Sequence, residues 1–278
     1  MAELITSLQN PRIKSLVRLR NRRERDRTQR FLIEGYRELR RAVDRRVPIE
    51  TLFVCEDLFL GSNEPQLIHD ARSTGAEVIE VGADAFTKVS YRDRPEGLIA
   101  VAHQFETDLG SLESAQNPLY LIVESIEKPG NLGTMLRTAD AAGVTAVIVA
   151  DPTTDPFNPN VVRASLGCLF TVSLAVASTG DARSWLAESG TRIVATTPDT
   201  ATRLWDSDLS GPVAIVVGSE QYGLSREWLE AADDRVRIPM GGDADSLNAA
   251  MAAGVALFEA VRQRSRLLPP HNVEVAEA

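Results

Sequence analysis

The chain has 278 residues, 44% hydrophobic and 25% charged, which is the composition of a globular protein long enough for two ordinary domains. No apolar run approaches the roughly 20 residues that cross a bilayer, and no basic-then-apolar leader opens the chain. The net charge of -9 hides an asymmetry: residues 1–48 carry 14 Lys+Arg against 6 Asp+Glu, and the remainder 16 against 33. An acidic protein with one strongly basic end is suited to nucleic acid through that end, although a solvated helix laced with ion pairs accounts equally well for a basic run. The two cysteines, Cys55 and Cys168, lie far apart in apolar settings, and the three histidines cluster with nothing. Reduced core thiols, a cytoplasmic location and no metal site are therefore expected.

Asn10-Pro11 opens a helix with Ile13, Leu16, Val17 and Leu19 as its apolar positions. Arginines then dominate, with Arg20, Arg22, Arg23, Arg25 and Arg30 as the candidate nucleic-acid contacts, because the guanidinium fork matches phosphate oxygens. Strand and helix signals alternate from Phe31 to Ala102, a small α/β domain over residues 1–103. Residues 104–118 are polar and mixed, and read as a linker.

Leu119 to Val123 is a continuous apolar run, as in a buried parallel strand. Pro129-Gly130 turns the chain, Asn131 is placed to cap a helix carrying Met135, Leu136, Ala139 and Ala142 inward, and Gly143 ends it. Thr145 to Ala150 completes a βαβ unit. Further strands are expected at Phe170 to Leu174, Arg192 to Ala195, Val213 to Val217 and Val236 to Ile238, with a helix near Asp181 to Glu188. Pro239 stops the last strand, Ser246 reads as an N-cap, and apolar residues from Leu247 through Met251, Leu257 and Phe258 recur at helical spacing. The tail 268–278, with Pro269-Pro270 just inside it, reads as disordered.

Three glycine-bearing loops thus follow strands: PGNLG, GSEQYG and PMGGDADS. Ligands of open α/β sheets sit outside the carboxyl ends of the strands. A nicotinamide fingerprint G-x-G-x-x-G is absent, Asp151 alone is weak evidence for a ribose-binding acid, and no P-loop motif occurs. What remains is a site built mainly from backbone, with Asn131, Arg137, Glu220, Ser246 and Asn248 as its polar groups.

N-x-G-x-x-x-R at Asn131 to Arg137, G-x-E-x-x-G at Gly218 to Gly223, and I-P-M…S-L-N from Ile238 to Asn248 resemble, in order and spacing, the three motifs of the SpoU/TrmH family. LQNPRIK…FLIEGYREL resembles that family's L30e-like RNA-binding domain, and Asn158-Pro159…Arg163-Ala-Ser-Leu-Gly another of its loops, with Cys168 where a second alanine is usual. The resemblance implies an α/β-knot (SPOUT) domain over residues 119–267 with a mostly parallel sheet and a trefoil knot, preceded by the small L30e-like α/β domain. It implies S-adenosylmethionine held near Val217, Gly218, Ile238, Met240 and Leu247, a homodimer whose second subunit helps complete the active site, and 2′-O-methylation of RNA ribose, ribosomal RNA being favoured over transfer RNA. In this family Arg137 is the proposed proton acceptor. A guanidinium pKa above about 12 makes phosphate orientation and stabilisation of alkoxide charge the better chemical role. A non-catalytic RNA-binding protein of the same fold, and a nicotinamide or nucleotide-sugar enzyme, stay open on residues alone.

Overall fold

Strand alternation sorts the first hundred residues into two apolar faces. The computed structural model describes residues 4–265. Strands β1 (Arg30–Glu34), β2 (Ile49–Val54), β3 (Glu77–Glu80) and β4 (Leu98–His103) form a four-stranded sheet in the order β1-β4-β2-β3. Only the β2–β3 pair is parallel. Leu32, Phe53 and Ile99 point to one face and pack on helices α1 (Pro11–Arg18) and α5 (Ala83–Val89) through Ile13, Leu16, Phe86 and Val89. Their neighbours Phe31, Ile33, Leu52, Leu98 and Ala100 point to the other face, against α3 (Tyr36–Asp44) and α4 (Glu64–Ser73). The short α2 (Arg22–Thr28) bridges α1 to β1. The Asn10 and Asn21 side chains accept from the amides of Arg12 and Arg23, capping α1 and α2.

The second half forms a six-stranded, wholly parallel sheet from β5 (Leu119–Glu124), β6 (Ala146–Ala150), β7 (Leu174–Ala177), β8 (Arg192–Thr196), β9 (Val213–Val217) and β10 (Asp234–Val236), in the order β10-β8-β9-β5-β6-β7. Both of its faces are covered, hence the unbroken apolar runs. Helices α8 (Thr179–Glu188) and α9 (Arg226–Ala231) seal one face with Ala182, Leu186 and Trp228. Helices α6 (Pro129–Ala142), α7 (Pro159–Ala164) and α10 (Ala249–Ser265) seal the other. At Gly133 of α6 an added Cβ would lie 2.6 Å from Ala164 Cβ and 2.7 Å from the Val161 carbonyl, so α6 and α7 can approach only over a bare backbone.

One apolar core runs from the α3 side of the small sheet into the large one. Phe31 stacks at 5.0 Å on Phe157, which also meets Phe105, and the buried Arg25 forms an ion pair with Asp155 at 2.6 Å. The stretch 104–118 is tied down: Gln104 donates to the Gln29 carbonyl, and Val176 of β7 donates to that of Thr107.

Several local expectations are corrected. Phe170 to Leu174 is not a strand; a 3-10 turn occupies Cys168–Phe170, and β7 begins only at Leu174. Thr171 is held instead by its hydroxyl on Asp140. The last strand ends at Val236, two residues early, leaving Arg237 in a single bridge with Arg203. The final helix starts at Ala249, and its cap is Asn248 rather than Ser246, since Asn248 Oδ1 accepts from the amides of Ala250 and Met251. Its buried face is alanine (Ala249, Ala250, Ala253, Ala256, Ala260) with Leu257, whereas Met251 and Phe258 are 58% and 49% exposed. Helix α6 begins before Asn131, which sits inside its first turn and does not cap it. The expected tail 268–278 lies outside the described residues.

Candidate active site

The three glycine-bearing loops leave the carboxyl ends of β5, β9 and β10 and converge on one carboxylate. Glu220 Oε1 accepts from Asn131 Nδ2 at 2.9 Å and from Asn248 Nδ2, while Oε2 accepts from Lys128 Nζ. Asn248 also donates to Asn131 Oδ1 at 3.1 Å. Each loop thus contributes one member of a closed polar ring. The Lys128 hydrogen bond, and then that of Asn131, hold the Glu220 carboxyl below its usual range, and the same contact raises Lys128.

Beside the ring lies a cavity of about 480 Å³ lined by Val217, Gly218, Ile238, Met240 and Leu247, the five residues expected around a cofactor, together with Ser246. Its floor is the turn Ser219–Gly223, closed by a pair of main-chain hydrogen bonds and by the Tyr222 amide on Ser219 Oγ. A Cβ at Gly218 would lie 2.2 Å from the Gly223 carbonyl oxygen, and Gly223 has φ +67, so both glycines are dictated by the turn. Asp199, Glu220 and Asp245 are the charged lining residues and none is basic. A mixed lining with three carboxylates and no basic side chain suits a heterocycle carrying a cationic sulfonium, and is ill-suited to a pyrophosphate. Asp151, the candidate ribose acid of a nicotinamide site, is occupied elsewhere: it accepts from the Thr179 amide at the start of α8.

Arg137 lies six residues after Asn131 on α6, roughly 9 Å along the axis at 1.5 Å per residue. It is exposed, and no hydrogen bond or ion pair engages its side chain among the described residues. Ser246 is exposed and outside the ring. Two contributors were missed in the sequence. Lys128 precedes the first motif by three residues. Glu124, 4% exposed at the end of β5, accepts from the Ser225 amide and anchors the loop after β9. An acid closing an apolar strand is the signal that could have pointed to it.

The arginines divide. Arg25 is 1% exposed, spends its guanidinium on Asp155 and on the carbonyls of Leu19 and Arg20, and so is corrected from RNA contact to internal strut. Arg20 lies over the Tyr91 ring at 4.7 Å and donates to the carbonyls of Lys88, Val89 and Ser90. Arg30 pairs with Glu50. Arg22 is half-exposed, in a long ion pair of 3.6 Å with Asp26, and the Arg23 side chain is exposed without a partner among the described residues.

A parallel α/β domain with a cofactor-sized cavity at its strand ends and a polar ring beside it is the arrangement of a protein that binds a small molecule. Residues 118–258 match the model of the SpoU rRNA Methylase family, and residues 10–100 that of the MRM3-like substrate binding domain. The chain therefore belongs to the SpoU rRNA methylase family. It is 34% identical over 253 residues to the 23S rRNA (uridine(2479)-2′-O)-methyltransferase of Streptomyces viridochromogenes, covering 88% of this chain and 87% of that protein. It is 29% identical to the 23S rRNA (guanosine(2553)-2′-O)-methyltransferase of Bacillus subtilis, covering 91% and 97%. The crystal structure of an AdoMet-bound rRNA methyltransferase from Sinorhizobium meliloti superposes with a TM-score of 0.86 at 34% identity, over 96% of this chain and 99% of that one. The six-stranded sheet is thereby that of the knotted SPOUT class.

Proposed function

We propose that the protein transfers a methyl group from S-adenosylmethionine to a ribose 2′-hydroxyl of RNA, with ribosomal RNA as the substrate. The observation that carries this is the ring of Asn131, Glu220 and Asn248 beside a cavity lined by three acids and no base, with Arg137 exposed on the adjoining helix. When bound, S-adenosylmethionine supplies an electrophilic methyl on sulfonium. Val217, Ile238, Met240 and Leu247 wall its place, and the Gly218 turn presents main chain to it. Arg137 orients the RNA phosphate and stabilises charge developing on the ribose oxygen, because its fork is unspent. Glu220 stays ionised and fixes both asparagine amides, which position the ribose. Purified protein should bind the cofactor in the presence of chelator and move labelled methyl into 23S rRNA in preference to transfer RNA. Labelling of transfer RNA alone would reverse the substrate assignment, and labelling of neither would refute the reading.

Residues 1–103 serve as the RNA-holding part, 104–118 as the join and 119–267 as the catalytic part. Arg23, and Arg22 through its long and half-exposed ion pair, present positive charge to solvent. Arg22→Ala with Arg23→Ala should weaken RNA binding and lower its log–log salt slope by roughly one unit per lost phosphate contact. Arg25→Ala should instead lower the melting temperature, since breaking a buried ion pair costs about 3–5 kcal/mol. An unchanged slope in the double variant would make these arginines a solvated face.

The working form is a homodimer. Met251 and Phe258, seven residues apart on α10, leave an apolar stripe on the helix that carries the Asn248 cap. Sedimentation should show a dimer that Phe258→Asp dissociates. No described helix is long and apolar enough to cross a membrane, and the two buried thiols fit a reducing cytoplasm.

A further inference from the structure

We propose that Thr154 is a positioning residue for methyl transfer, its hydroxyl tying the docked arginine-rich segment to the loop that carries the polar ring. The inference rests on the function just described. The loop after β6 holds two polar residues that are nearly inaccessible, Thr154 at 5% and Asp155 at 7% exposed. Loop polar side chains ordinarily face water, and burial is tolerated only when their hydrogen bonds are made. Here each makes its bonds in a different direction.

Asp155 reaches the small domain. Its carboxylate accepts from Arg25 Nε at 2.8 Å and Nη2 at 2.6 Å, and from the Phe157 amide at 2.8 Å. Arg22 adds a longer contact, 3.4 Å, to the Thr153 carbonyl. Thr154 reaches the other way: its hydroxyl donates to the Glu127 carbonyl at 2.8 Å. The next residue, Lys128, holds Glu220 with its side chain and accepts the amide of Asn131 with its carbonyl at 3.0 Å. The peptide fixed by Thr154 is therefore the one from which the first turn of α6, and with it Asn131, is hung. Arg25, Asp155, Thr154, the Glu127–Lys128 peptide and Glu220 form one continuous chain of contacts from the RNA-holding segment to the ring. Freeing the Glu127 carbonyl lets the ring shift against the cavity without removing any group that touches cofactor or RNA. Misplacement on the scale of an ångström lowers rate strongly when geometry supplies the acceleration.

Thr154→Val keeps the branched shape and deletes the hydroxyl; Thr154→Ser keeps the hydroxyl and deletes the methyl. In the full-length protein, Thr154→Val should lower kcat for methyl transfer about tenfold, the rate equivalent of one hydrogen bond's geometry, while KM for RNA and cofactor affinity stay within about twofold. Thr154→Ser should stay near wild type. Amide hydrogen exchange over residues 127–132 should rise in the valine variant only. Wild-type kcat and exchange in Thr154→Val, or an equal fall in Thr154→Ser, would overturn the assignment. Exchange is read without any turnover, so a wild-type protein that methylates no RNA would refute the function while leaving this test decisive.

Discussion

Arg137→Ala is expected to lower single-turnover methyl transfer by roughly 10²–10³-fold, the cost of removing one group that stabilises transition-state charge, with cofactor affinity nearly constant. Position is the reason. Arg137 is exposed on α6, whereas the cavity wall comes from the turn after β9 and the segment after β10, and Arg137 is not part of it. A loss confined to the rate at saturating substrate identifies an interaction made only in the transition state. Arg137→Lys should also fail, because a point charge cannot reproduce a bidentate fork on phosphate. Because the side chain has no partner among the described residues, neither substitution should move the melting temperature. Single-turnover rate, cofactor affinity and melting on the same preparations decide it. Near-wild-type turnover in Arg137→Ala would sink the role and leave Glu220 or the partner subunit to supply it.

The second large effect is expected at Gly218. A methyl group there would meet the Gly223 carbonyl oxygen at 2.2 Å and the Leu224 amide nitrogen at 2.5 Å, both backbone, so the turn itself must open. Overpacking of this kind costs about 1–3 kcal/mol. It falls on the floor of the cavity, so Gly218→Ala should weaken S-adenosylmethionine binding by roughly tenfold or more, since 1.4 kcal/mol is a factor of ten, and blunt the thermal shift that the cofactor produces. Gly130→Ala is the control, because an added Cβ at Gly130 meets nothing within 4 Å. Isothermal titration on both variants separates the outcomes: equal affinity in Gly218→Ala and Gly130→Ala would show that this turn does not shape the cofactor site.

Periodicity placed β5, β6, β8 and β9 within a residue or two, because buried parallel strands are apolar at every position and bounded by turn residues. It failed at α10. There, large apolar residues at helical spacing suggested an inward Met251 and Phe258, while the face of α10 buried against α6 and β9 is mostly alanine, with Leu257 its one large side chain. Side-chain size, set by interhelical distance, overrode hydrophobicity. Capping failed in a related way at Ser246 and Asn131. Both are good caps in isolation, yet Asn248 caps α10 and Asn131 is drawn into hydrogen bonds with Glu220 and Asn248.

The arginine-rich segment shows the same division. Its charge was countable in the chain, but seven near-identical arginines between Arg18 and Arg30 gave no sign that Arg25 is buried against Asp155, 130 residues away, or that Arg23 stays exposed. Local spacing and residue chemistry determined the strand–helix alternation, the three loops and the set of polar groups they carry. Which of those groups meet was decided only when the parallel sheet aligned the ends of β5, β9 and β10, since contacts such as Asn131 with Asn248 span 117 residues and leave no period in the chain. Only the packing of α10 against α6 and β9 brought a glutamate and two asparagines into one hydrogen-bonded ring, with Lys128 joined to its carboxylate.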